Sequence, residues 1–219
     1  MGLGHLLHHN STPGTPGLTI DHGGSYDAFG AVFFGGRRDR VYRRLAELSG
    51  AKPGDQVLDI GCGTGYLTRR MAALVGTGTV VGLDPSAIVL DRARRITGEP
   101  NCTYTVGVAE SLSAEDDSFD VVDNCLMLHH LPHELRATAL AEMRRVLRPG
   151  GRLLIGEFRP PANPIGRHLV RVLTGPAMAH NPIDELAPMV THAGFERVGS
   201  TDMHPWIRCV TAAKPGAAE

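Results

Sequence analysis

The stretch Val57-Leu58-Asp59-Ile60-Gly61-Cys62-Gly63-Thr64-Gly65 constrains this chain most. A short apolar run ends in three glycines within five residues, and an amphipathic run follows over 66–75. Glycines at that spacing let a backbone turn sharply and approach a ligand closely. The N-terminus of the following helix aims free N–H groups at the same space. A strand, a glycine loop and a helix in that order predict an α/β chain with its ligand at the strand's C-terminal end.

The βα rhythm continues. Apolar runs at 56–60, 79–83, 102–106, 119–123 and 153–157 read as strands, and 39–48, 66–75 and 134–147 as helices. Pro85 is placed in the first turn of a helix running to 96, where its missing N–H would be unpaired anyway. Arg148-Pro149-Gly150-Gly151 reads as a break before the fifth strand. A helix near 184–192 tolerates Pro188 only in its first turn. Runs at 195–200 and 207–212 read as a closing pair of strands, with Trp206 expected in the core. Strands separated by helices predict a mostly parallel sheet covered on both faces. Asp59, Asp84, Asn124 and Glu157 then fall at or near strand ends that border one cleft.

Composition narrows the class. The chain has 219 residues, 42% of them hydrophobic, and a formal net charge of -1. That is enough for one α/β domain, and there is no global basic field to attract nucleic acid. No apolar run approaches the ~20 residues that span a bilayer. Four scattered cysteines, Cys62, Cys102, Cys125 and Cys209, read as thiols of a reducing compartment, so a cytoplasmic protein is expected. Residues 1–25 carry one formal charge, Asp21, and read as a flexible segment. The expected domain covers 26–213, with a short lid holding five prolines inside 158–182, and 214–219 form a tail.

The ligand is read from what the loop lacks. The sixth residue counted from Gly61 is Tyr66, and from Gly63 it is Thr68, so neither frame completes G-x-G-x-x-G. No Gly-Lys-Ser/Thr follows, which excludes a P-loop. Asp84, nineteen residues after Gly65, suits two ribose hydroxyls. Asp59 would repel a pyrophosphate but suits a cationic ligand, so a nucleoside joined to a sulfonium amino acid, S-adenosylmethionine, is the reading. Backbone positioning is the other role open to Asp59.

Asp59-Ile60-Gly61-Cys62-Gly63-Thr64-Gly65 resembles motif I of the class I S-adenosylmethionine-dependent methyltransferases. Val81-Gly82-Leu83-Asp84-Pro85-Ser86, Asp117-Ser118-Phe119-Asp120-Val121-Val122, Leu128-His129-His130-Leu131 and Leu147-Arg148-Pro149-Gly150-Gly151 follow in the order seen in that family. The segment 52–158 resembles that family's core, especially the branch that includes the ubiquinone and menaquinone biosynthesis C-methyltransferases. The resemblance implies a Rossmann-like, seven-stranded, mostly parallel sheet with helices on both faces and a C-terminal antiparallel hairpin. It implies that Gly61, Cys62, Gly63, Gly65, Asp84 and Pro85 line the cofactor, with Asn124 and Leu126 near the adenosine–methionine junction and Tyr26 folding over it. The branch usually shows Gly-Asp-Ala after the third strand, its Asp receiving the adenine amino group. Here Gly107-Val108-Ala109-Glu110 stands there, leaving the backbone at Ala109 or the Glu110 side chain for adenine.

Methyl transfer by in-line displacement needs proximity and water exclusion more than acid or base. The expected acceptor is a small, mostly apolar molecule with an O or C nucleophile, phenol- or quinone-like. A proton must leave such an acceptor, and His129 or His130 is the candidate base. The plainer role for both is a packed histidine shaping the site. Adjacent His129 and His130 do not share one helical face, so no metal is expected with His133. Neither nucleic acid nor an integral membrane segment is expected, and a homodimer is left open. A non-catalytic S-adenosylmethionine-binding regulator and an NAD(P)-dependent oxidoreductase are the alternatives.

Overall fold

A computed structural model of the protein describes residues 34, 36–161, 163–165, 168, 181, 183–204 and 206–217. Tyr26, the segment 1–25 and most of the expected lid lie outside the described residues. In chain order the elements are α1 (Arg38–Leu48), β1 (Gln56–Ile60), α2 (Tyr66–Val75), β2 (Thr79–Asp84), α3 (Ala87–Ile96) and β3 (Cys102–Val106). They continue with β4 (Phe119–Cys125), α4 (His133–Val146), β5 (Leu147–Phe158), α5 (Leu186–His192), β6 (Glu196–Met203) and β7 (Ile207–Ala213). Single 3-10 turns at Leu128–His130 and Ile183–Glu185 precede α4 and α5.

All seven strands form one sheet in the order β3-β2-β1-β4-β5-β7-β6. Neighbours from β3 to β5 are parallel, and β7 runs antiparallel to both β5 and β6. The expected hairpin is therefore β6–β7. Alternate residues of each strand feed two cores. Val57, Val80, Val121 and Leu154 pack with Val41 and Leu45 of α1 and Leu67 and Met71 of α2. Leu58, Leu83, Val122 and Leu153 pack with Leu140 and Met143 of α4 and Leu186 and Val190 of α5. Strand order reverses between β1 and β4, where the crossovers leave a crevice at the C-terminal strand ends.

Three expectations are corrected. The helix after β2 begins at Ala87 with Ser86 as its N-cap, so Pro85 stands outside the first turn. The Ser86 N–H donates to Asp84 Oδ1 at 2.9 Å, an Asx turn that bends the chain before a helix can start. The break at 148–151 lies within β5 as a register shift, Phe119 facing Leu147 and Val121 facing Arg152. Gly150 takes φ +76, and the chain after β7 pairs with the extra residues: the Gly150 N–H donates to the Lys214 carbonyl and the Lys214 N–H to that of Gly151. Trp206 is not core. It is 41% exposed at the β6–β7 turn with φ +61.

Candidate functional site

The glycine loop is held from both sides. The N–H groups of Gly61 and Cys62 both donate to the Leu83 carbonyl, at 2.7 and 3.1 Å, tying the loop to the end of β2. Gly61 has φ +72, and a Cβ there would collide with the Met127 side chain. Gly65, the N-cap of α2, has φ +74, and a Cβ there would collide with the Tyr104 ring. Met127 and Tyr104 thus set the loop's height from the turn after β4 and from β3. Sequence reasoning assigned neither, although Tyr104 faces Gly82 in register and its ring needs that missing side chain.

Asp84 caps this loop. Its Oδ2 accepts the Gly63 N–H and its Oδ1 the Ser86 N–H, both at 2.9 Å. Burial pushes its carboxyl up to about 6, against the pull of those two N–H groups. Asp59 points instead beneath α2, 1% exposed, where its Oδ2 accepts the Thr68 hydroxyl at 2.6 Å. It faces Asp123 directly across the β1–β4 pairing, and Asp123 is fully buried. Burial raises both carboxyls, and the Asp59 charge raises Asp123 further. Neither Asp123 oxygen has a conventional donor among the described residues, so one proton shared between the carboxyls satisfies the pair. Asp123 was missed as a partner because facing across strands depends on the register. The Cys62 thiol is pushed well up by burial and by the charges of Asp59, Asp84 and Asp123, so it remains protonated.

The end of β4 supplies the third wall. Asn124 is fully buried and its Nδ2 donates to the Ile60 carbonyl at 2.8 Å, fixing the strand from which the loop departs. Leu126 has φ +58, a costly conformation for a branched residue, and its N–H donates to the Gly156 carbonyl at 2.8 Å. That turn throws Met127 over Gly61. On the remaining side, Ala109 is buried in the core and Glu110 half-buried. Their loop is clamped from α4: Glu142 accepts the Leu112 N–H, and Arg145 donates to the carbonyls of Leu112 and Ala114.

His129 and His130 follow Met127 in the 3-10 turn. His129 Nδ1 lies 2.8 Å from Glu157 Oε2, and both side chains are 2% exposed. Glu157 Oε1 accepts the Leu128 N–H at 2.8 Å, and Asn181 Nδ2 donates to Oε2 at 3.1 Å and to the Phe158 carbonyl at 3.0 Å. The His130 ring lies 4.1 Å from that of His129. His129 and Glu157 border a small open pocket, whose other walls are Arg136, Asn181, Leu128, Ile183, Leu186 and Met189. Position alone had marked Glu157 as a strand-end acid; its bond to His129 required the turn after β4. Among the described residues no group of three or more His, Cys, Asp and Glu side chains is placed to hold a metal ion.

The comparisons with known proteins agree with this geometry. Residues 57–151 match the family model described as "Methyltransferase domain". The ubiquinone/menaquinone biosynthesis C-methyltransferase UbiE of Ectopseudomonas mendocina is 36% identical over 201 residues, covering 79% of this chain and 77% of the relative. UbiE of Stutzerimonas stutzeri is 35% identical over 208 residues, covering 81% and 79%. The crystal structure of a SAM dependent methyltransferase from Aquifex aeolicus shares the fold, with a TM-score of 0.67 at 21% identity over 79% of this chain and 89% of that one. The residues present fit S-adenosylmethionine: three positive-φ glycines bring bare backbone to the strand end, and Asp84 keeps lone pairs for hydroxyl donors beside Gly63. The family decides against nicotinamide oxidation. The chain belongs to the class I S-adenosylmethionine-dependent methyltransferases, the family of the UbiE C-methyltransferases, and S-adenosylmethionine is its methyl donor.

Proposed function

We propose that this enzyme methylates a small, mostly apolar acceptor carrying an ionisable hydroxyl, a phenol- or quinol-like ring, at oxygen or carbon. The names of the UbiE relatives support a quinone-type ring and carbon as the attacking atom. The observation that carries the proposal is the buried His129–Glu157 pair at a small pocket that Arg136 and Asn181 line together with Leu128, Ile183, Leu186 and Met189. A histidine paired with a carboxylate suits removal of a hydroxyl proton.

S-adenosylmethionine supplies an electrophilic methyl group on a sulfonium. In this reading Asp84 accepts the ribose hydroxyls, and the loop Gly61, Cys62, Gly63 and Gly65 lines the amino-acid and ribose side. Asn124, Leu126 and Pro85 shape the nucleoside's surroundings, and Ala109 and Glu110 border the adenine. Asp59 acts by positioning α2 through Thr68. His129 is the base, and the His130 ring packs beside it, tilted, at 4.1 Å. Alignment of acceptor and methyl, with water excluded, supplies most of the acceleration.

Calorimetric titration with S-adenosylhomocysteine, followed by turnover of a reduced-quinone and phenol panel, tests the proposal. Micromolar or tighter 1:1 binding together with methylated phenol or quinol is expected. Turnover confined to amines or polar acceptors would refute it.

A further inference from the structure

The hydrogen bonds of Glu157 are directional enough to assign a proton. Its Oε1 faces a buried main-chain donor, the Leu128 N–H. Its Oε2 faces two groups, His129 Nδ1 and Asn181 Nδ2. A carboxylate can only accept, so the imidazole nitrogen facing it carries hydrogen. That leaves the other ring nitrogen, Nε2, as the proton acceptor on a side chain that borders the pocket. Asn181 is itself anchored by its bond to the Phe158 carbonyl, so both the ring and the carboxylate are held from two directions.

We infer that Glu157 is a positioning residue that fixes His129 in its Nδ1–H tautomer, with Arg136 as the cation that balances the pocket when the acceptor ionises; this rests on the acceptor reading above. Arg136 Nε donates to the Leu131 carbonyl at 3.2 Å, and its side chain lines the same pocket. With neutral His129, Glu157 and Arg136 sum to zero. When the acceptor's O–H bond breaks, its proton forms an Nε2–H bond and the electron pair stays on the acceptor. The pocket then holds two cations and two anions, again zero. That pair would take the methyl carbon of bound S-adenosylmethionine, the methyl–sulfur pair staying on sulfur; for attack at carbon the ring C–H proton then moves to the oxygen, restoring the hydroxyl, and the His129 proton returns to solvent.

Glu157→Gln tests this with little change of shape. With the new amide's oxygen on the buried Leu128 N–H, Asn181 loses its bond to residue 157 but keeps the one to the Phe158 carbonyl, and the amide NH₂ faces His129 Nδ1. That donor forces hydrogen onto Nε2 and removes the base while a hydrogen bond to the ring is kept. Long-range ¹H–¹⁵N spectra of the full chain, with His129 assigned through His129→Asn, read the tautomer directly. Nδ1–H in the native protein and Nε2–H in Glu157→Gln are expected. S-adenosylhomocysteine affinity should change less than about threefold, and kcat for reduced naphthoquinone should fall about 10²- to 10⁴-fold with KM for the methyl donor unchanged. Glu157→Asp, which keeps an acceptor, should restore Nδ1–H and part of kcat, and it guards against misfolding of the amide variant. An Nε2–H tautomer in the native protein, or unchanged kcat in Glu157→Gln, overturns the inference. A native protein that binds the cofactor but methylates no reduced quinone overturns the acceptor reading instead, and the tautomer then decides Glu157 by itself.

Discussion

Asp84 couples the glycine loop to pH. In the free protein its carboxyl sits at about 6, above the ordinary 3.8, so the folded state holds its proton more tightly than the unfolded chain does. Its contribution to stability is therefore lost as pH rises from about 4 to about 6. Ligand hydroxyls favour the ionised form, so the sign for binding is the reverse. S-adenosylhomocysteine affinity should fall about tenfold between pH 7 and pH 5, and calorimetry at the two pH values should show the loss vanish in Asp84→Asn. Asp84→Ala should weaken binding by at least about tenfold at pH 7, as expected from deleting hydrogen bonds to a charged acceptor. Gly65→Ala combines a left-handed φ of +74 with a collision against Tyr104. A stability loss of about 1–3 kcal/mol in urea denaturation is expected, with weaker cofactor binding.

The pairing of β1 with β4 places Asp59 against Asp123, and this sets a pH limit on the element pair. Both carboxyls are raised, by burial first, so the pair favours a retained proton, and stability declines as rising pH removes it. Asp123→Asn supplies permanent N–H donors to Asp59 in place of that proton. The variant should be at least as stable as the native protein at pH 9, and its unfolding free energy should vary less between pH 6 and 9. A steeper dependence would show that the carboxyls do not share a proton. On α4, Glu142 and Arg145 hold the loop that borders the cofactor crevice. Arg145→Ala should speed amide exchange at Leu112, while exchange at Leu140, inside the helix, stays slow.

At the scale of the molecule, one sheet divides two cores, and its central strands set the stability. Leu154 of β5 is fully buried between β4 and β7. Leu154→Ala should cost about 2–5 kcal/mol, measured by urea denaturation, because neighbours anchored in a sheet cannot collapse into the void. Cys62, Cys125 and Cys209 are buried and Cys102 is partly exposed, all as free thiols. A thiol reagent should label Cys102 first and reach the other three only on unfolding. No helix among the described residues is long and apolar enough to cross a membrane.

Local pattern was sufficient for the βα order, for the glycine loop and for Asp84 at the end of β2, because strand periodicity and turn chemistry act over a few residues. The same locality misplaced Pro85, where an Asx bond from Asp84 decided the helix start, and Trp206, whose apolar surface suggested a core that the β6–β7 turn denies it. Asp123 opposite Asp59, Glu157 beneath His129 and Met127 over Gly61 are contacts between strands and turns far apart in the chain. Those depend on parallel register and on the left-handed turn at Leu126. The sequence by itself determined that a nucleoside cradle would form at the strand ends. Only the tertiary structure decided which carboxylate meets which neighbour, because a shift of one residue in register turns every side chain to the opposite face.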